Sequence, residues 1–187
     1  MISWDHTVRL WNVTDLRRPV SITTLTDQVD GAADIAFNPT STILAIPDKT
    51  GGVQLWDTED PHYPKILSQS IRIPSPIRGL AFDPDGTILA TSGDDRAIRL
   101  WDISRPQQPQ LLATFTGSHE GIVRRISFNP KRKIFATGSD DKSVRLWTAD
   151  PDQIAERACA SPTGQITQDE WRRYLPNITY QSVCPQS

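Results

Sequence analysis

Four segments of this 187-residue chain end on nearly the same tripeptide, at nearly the same interval. Leu10-Trp11-Asn12, Leu55-Trp56-Asp57, Leu100-Trp101-Asp102 and Leu146-Trp147-Thr148 set their tryptophans 45, 45 and 46 residues apart. A second motif keeps the same register. Ile35-Ala36-Phe37-Asn38-Pro39 returns as Leu80-Ala81-Phe82-Asp83-Pro84 and as Ile126-Ser127-Phe128-Asn129-Pro130, and each phenylalanine precedes its tryptophan by 19 residues. The single inserted residue therefore falls between Trp101 and Ile126. Constant spacing inside a unit, with length change confined between units, is what a row of small rigid sheets produces.

Within a unit, short apolar and β-branched runs alternate with turn residues. In the third unit the spacing predicts strands over 77–82, 87–91, 97–102 and 111–115. Asp83-Pro84-Asp85-Gly86 is the first turn, since proline fixes φ and glycine supplies a positive one. Gly51-Gly52 reads as a hairpin turn, not as a phosphate-binding loop.

These repeats resemble the WD-repeat β-propeller family over residues 3 to about 148. The fourth unit carries the fullest form: Gly117-Ser118-His119, Phe128-Asn129-Pro130, Ala136-Thr137-Gly138-Ser139-Asp140-Asp141 and Val144-Arg145-Leu146-Trp147. The resemblance implies a hydrogen-bonded tetrad of His119, Thr137, Asp141 and Trp147, with Trp11, Trp56 and Trp101 as its repeat tryptophans. Elsewhere the pattern thins. The third unit keeps Thr91, Asp95 and Trp101 but has Ser75-Pro76 where Gly-His belongs. The second has Ile46 and Thr50 at the threonine and aspartate positions, and the first keeps only Asp5 and Trp11. Apolar packing between sheets is expected to hold those units.

The expected fold is all-β: a partial propeller of about three and a half four-stranded blades over 1–149, then a short helical tail over 150–187. The strand tally of two, four, four and three describes an open arc, which implies either missing N-terminal blades or self-association. Asp150-Pro151-Asp152-Gln153 and Thr167-Gln168-Asp169-Glu170 are capping signals, and Trp171, Tyr174 and Leu175 share one helical face. Trp171 is the expected anchor of the tail on the propeller. Cys159 and Cys184 bracket the tail. A fold-back that buries Trp171 brings them within reach of each other, while the plainer reading is two small apolar side chains. Ala155-Glu156-Arg157-Ala158-Cys159, Thr167 to Leu175 and Tyr180 to Pro185 are similar to the ends of bacterial proteins that fuse a WD-repeat propeller to a signal-transducing P-loop NTPase.

Function classes narrow accordingly. Twenty basic against 22 acidic side chains leave a net charge of −2, so no global basic field attracts nucleic acid. No apolar run reaches membrane-spanning length. The three histidines lack metal-ligand spacing, and no cofactor motif is present. Two cysteines are too few for a disulfide framework, so a reducing cytoplasm is the expected compartment. His119 and Asp141 beside Ser139 or Ser143 also contain the parts of a catalytic pair, but the aspartate recurs at Asp95 and Asp5, which assigns it to the scaffold. The expected role is a non-catalytic scaffold or sensor for a protein or peptide partner on the propeller face, in a larger bacterial regulator. The alternative is the regulatory end of an NTPase or kinase, inert without its catalytic domain.

Overall fold

The structure is a computed structural model that describes residues 7–26, 34–48, 51–117 and 119–149. The described residues form four antiparallel sheets of two, four, four and three strands. The first sheet pairs β1 (Val8–Asn12) with β2 (Val20–Leu25). The second runs β3 (Ala36–Phe37), β4 (Ile43–Pro47), β5 (Gly52–Asp57) and β6 (Lys65–Arg72). The third runs β7 (Ile77–Phe82), β8 (Ile88–Gly93), β9 (Ile98–Asp102) and β10 (Gln110–Phe115). The fourth holds β11 (Val123–Phe128), β12 (Ile134–Ser139) and β13 (Val144–Thr148). Strands adjacent in sequence are adjacent in each sheet, so every sheet is a meander. The helical tail, with Trp171, Cys159 and Cys184, lies outside the described residues, as does Asp5.

Three strand starts in the third sheet differ from the sequence expectation: the outer strand begins one residue early, at Gln110, and side chains explain the other two. The second strand of the third sheet begins at Ile88, not Thr87, because Asp83 Oδ1 accepts the amides of Thr87 at 2.8 Å and Ile88 at 2.7 Å and prolongs the turn. The third begins at Ile98, not Ala97, because the Ala97 amide donates to Asp95 Oδ1. Asp83 is buried, so it ties the turn where water cannot replace it. Asp83→Ala is expected to cost about 1.5–3 kcal/mol in urea unfolding, the range for hydrogen bonds to a charged group. Asp85→Ala, in the exposed part of the same turn, is the control and should change little.

Three apolar clusters, one per sheet boundary, make the core. Strand alternation explains them, because successive side chains point to opposite faces. Val8 and Leu10 pack with Leu44, Ile46 and Trp56 of the second sheet. Val53 and Leu55 pack with Phe82, Leu89 and Trp101 of the third, and Ile98 and Leu100 with Ile126 and Phe135 of the fourth. In the first three sheets the aliphatic pair of this strand thus meets the next sheet, and in the second to fourth the tryptophan that follows the pair's leucine meets the previous one. Each fully buried aliphatic contributes roughly 1.5–3 kcal/mol. Where the inner strands come close, a glycine is required. A Cβ on Gly79 would lie 2.8 Å from Ser92 Oγ and 3.2 Å from the Ile126 amide nitrogen of the next sheet.

Candidate functional site

The fourth sheet holds a continuous chain of polar contacts. His119 precedes β11, Thr137 sits in β12, Asp141 in the β12–β13 turn and Trp147 in β13. Trp147 Nε1 donates to Thr137 Oγ1 at 2.8 Å. Thr137 Oγ1 lies 2.8 Å from His119 Nε2, and His119 Nδ1 lies 2.9 Å from Asp141 Oδ2. An ionised carboxylate only accepts, so Nδ1 carries the proton, and in the neutral ring Nε2 accepts from the threonine hydroxyl. Indole, hydroxyl, imidazole and carboxylate form one directed chain. His119 and Thr137 are buried, which makes their partners obligatory.

Asp141 is the sink of this chain. The Ser143 hydroxyl donates to its Oδ1 at 2.6 Å, and the Ser143 and Glu120 amides donate as well. The Ser143 hydroxyl first, then the His119 ring and those amides, hold the carboxyl well below the usual carboxylate range, against the opposing pull of desolvation. The folded value is depressed, so this group adds stability above its ordinary value of 3.8 and loses it as pH falls below that. The melting midpoint is expected to stay level from about pH 7 to 5 and to drop below about pH 4. Calorimetry on Asp141→Asn should show a shallower acid slope, because the variant has no carboxylate there to protonate.

The other sheets replace missing members of the chain with different partners. In the third, Trp101 Nε1 donates to Thr91 Oγ1 at 3.1 Å. With no histidine available, Asp95 pairs with Arg99 at 2.7 Å, and its amide donates to Ser75 Oγ. In the second, Trp56 Nε1 donates to Gln54 Oε1 at 3.1 Å. Gln54, Arg99 and Arg145 occupy one repeat position, so that position adapts to what the unit lacks. Trp11 is partly open to solvent.

At the same end of the sheets lies a row of ion pairs that repeat spacing had not singled out. Strand pairing slips between Ile77 and Gly79 and again between Val123 and Arg125, so Arg78 and Arg124 are the extra residues of two equivalent bulges. A bulge re-aims its side chain. Arg78 meets Asp94 through two bonds of 2.6 and 2.7 Å, and Arg124 meets Asp140 at 2.7 Å. The guanidinium of Arg78 lowers the Asp94 carboxyl, and that of Arg124 lowers Asp140. The signal was present in the sequence: both arginines and both aspartates are 46 residues apart. Beside this row Arg125 pairs at 3.1 Å with Asp34, which precedes β3 of the second sheet. The adjoining turns carry Arg96 and Lys142 at φ of 63° and 65°, where the second unit has Gly51 at 85°.

A serine nucleophile would need its hydroxyl proton directed at a free imidazole nitrogen. Here Ser143 donates to Asp141, while Thr137 and Asp141 engage the two nitrogens of His119. Among the described residues no group of three histidine, cysteine or acidic side chains could hold a metal ion, and no helix is long and apolar enough to cross a membrane. A cavity of about 280 Å³ between the first two sheets is lined by Leu10, Ile22, Ile35 and Phe37 and lies apart from the polar chain.

Comparison with known proteins gives one family. Two segments, residues 67–102 and 109–148, match the WD domain, G-beta repeat. No curated protein matches the chain. Each matched segment begins near an outer strand, β6 or β10, and ends on the third strand of the following sheet. One repeat therefore spans the boundary between two sheets, and its own connectivity ties them together. The two units that keep the threonine, aspartate and tryptophan are the two whose segments, residues 67–102 and 109–148, are similar to WD repeats.

Proposed function

We propose that this chain is a non-catalytic protein-interaction scaffold or sensor, the C-terminal part of a larger bacterial regulatory protein working in the cytoplasm. WD repeats in general mediate contacts between proteins, and the reading rests on one observation above the others. The bulged pairs Arg78–Asp94 and Arg124–Asp140 present alternating charge, partly exposed, on a turn-bearing end. Such a surface can exchange internal ion pairs for a partner's and so choose between partners. His119, Thr137, Asp141 and Trp147 serve beneath it as the structural tetrad that fixes the β12–β13 turn and hence Asp140. The partner is a protein or peptide, with no nucleic acid, membrane or cofactor involved.

Selection of peptides from a displayed random library on the full chain tests this. Clones that bind should lose binding to Arg78→Ala/Arg124→Ala while the melting midpoint of that variant stays put. Clones indifferent to both arginines would locate recognition elsewhere. A second reading, the regulatory end of a signal-transducing NTPase or kinase, is supported by the tail segments Ala155 to Cys159 and Thr167 to Leu175. An in-frame P-loop in the DNA upstream of Met1 would favour it.

A further inference from the structure

We propose that the hairpin turn Lys131-Arg132-Lys133 is a docking site for an acidic segment of a partner protein. Three equivalent turns, in the second, third and fourth sheets, stand at the end opposite Arg78 and Arg124. Each closes with the same main-chain bond, from the amide of Asn38, Asp83 or Asn129 to the carbonyl of Ile43, Ile88 or Ile134. In each a proline follows that first residue. The three residues that complete the turn share no chemistry. They are Thr40-Ser41-Thr42 in the second sheet, Asp85-Gly86-Thr87 in the third and Lys131-Arg132-Lys133 in the fourth. The fold therefore asks for no cation here, and three like charges in a row oppose the turn that holds them. In a chain whose net charge is −2, such a cluster answers to something outside folding.

The backbone of this turn is held ready. Asn129 Oδ1 accepts the Lys131 amide at 2.8 Å, and the Lys133 carbonyl accepts the Ala149 amide at 2.7 Å. All three side chains are exposed. Lys133 lies 3.8 Å from Asp85 of the neighbouring turn, a loose pair with both side chains open to solvent. Among the described residues no ion pair or side-chain hydrogen bond engages Lys131 or Arg132. Charge complementarity selects the occupant. Asp85 borders the cations, and the loop that bears Asp57, Glu59 and Asp60 stands at the same end. The cations are thus a spot and not a track, and a nucleic-acid backbone, which is neutralised along its length, would run onto those carboxylates. No large apolar side chain stands on the turn to enter a lipid surface. A short run of aspartate and glutamate fits, with carboxylates meeting the fork of Arg132 and the two ammonium groups. The inference does not depend on what Arg78 and Arg124 bind.

Fluorescence anisotropy of a labelled hexaglutamate peptide with the full chain at low salt tests it. Wild type is expected to bind the peptide, and Lys131→Glu/Arg132→Glu to bind it about tenfold or more weakly. Arg17→Glu/Arg18→Glu makes the same change of net charge in another exposed loop and should bind as wild type does. Giving the fourth sheet the turn of the second, Lys131→Thr/Arg132→Ser/Lys133→Thr, should abolish binding and leave the melting midpoint level or higher. Equal losses in the two glutamate variants would reduce the effect to net charge, and a fall of the midpoint in the transplanted turn would make the cations part of the fold. Either result overturns the proposal. So does a loss confined to Arg78→Ala/Arg124→Ala, which would put the peptide at the opposite end. A wild type that ignores the peptide, or that binds single-stranded DNA or phosphatidylserine vesicles more tightly, also overturns it. If the peptide binds only to Asp150→Asn/Asp152→Asn, the chain's own carboxylates occupy the turn and the proposal falls.

Discussion

Phe135→Ala is expected to lower the stability of the chain by about 3–5 kcal/mol, the range for truncating a buried aromatic whose cavity cannot collapse. Phe135 is among the largest fully buried side chains described, at 1% exposure. Its ring stacks on Trp147 at 6.0 Å and 14°, tilts on Phe128 at 5.2 Å and meets Phe115 edge-on at 6.5 Å. Phe115 belongs to β10 and the others to the fourth sheet, so the cavity would open at the boundary between two sheets, where strand pairing cannot close it. The repeat itself offers the milder change. Leu44 and Leu89 occupy the equivalent positions, each opposite the tryptophan of its unit. Phe135→Leu should cost about 1–1.5 kcal/mol, since leucine restores most of the volume. Urea unfolding of both variants decides the matter. A loss for Phe135→Ala no larger than for Leu146→Ala on the exposed face would show that the fourth sheet is not packed on the third.

The fold was legible because sequence and geometry repeat together. The tryptophan spacing located the third strands, the Phe-Asn-Pro and Phe-Asp-Pro turns located the first hairpins, and the strand tally of two, four, four and three followed. Strand ends were less legible, since Asp83 and Asp95 lengthen their turns by accepting amides that the alternation pattern assigns to strands. The resemblance to WD repeats also pointed to the four residues that the fourth sheet brings together. It could not tell what the thinner units use instead. Gln54 for Trp56, and Arg99 and Ser75 for Asp95, are choices made by reach and orientation, and no residue type announces them. The bulges were invisible for a related reason. Ile77-Arg78-Gly79 and Val123-Arg124-Arg125 read as ordinary strand, and only the slipped pairing turns their arginines toward Asp94 and Asp140.

Thr137→Val separates a chain of hydrogen bonds from a set of isolated ones. Valine keeps the shape of threonine and removes only the hydroxyl, so any loss reflects the partners it abandons. At Thr137 there are two: the Trp147 indole loses its acceptor and His119 Nε2 loses its donor. At Thr91, equally buried in the third sheet, there is the Trp101 indole. Each orphaned buried group costs about 1–3 kcal/mol. Thr137→Val should therefore cost about 2–4 kcal/mol and Thr91→Val roughly 1–2. Combining Thr137→Val with His119→Ala should cost less than the sum of the two, because the histidine's stake in the hydroxyl is counted in both single variants. Equal losses at Thr137 and Thr91, with strict additivity in the double variant, would mean that His119 draws nothing from Thr137. The imidazole would then be held only on its Nδ1 side, by Asp141 and Ser143, and the turn that carries Asp140 would be fixed from one side instead of two.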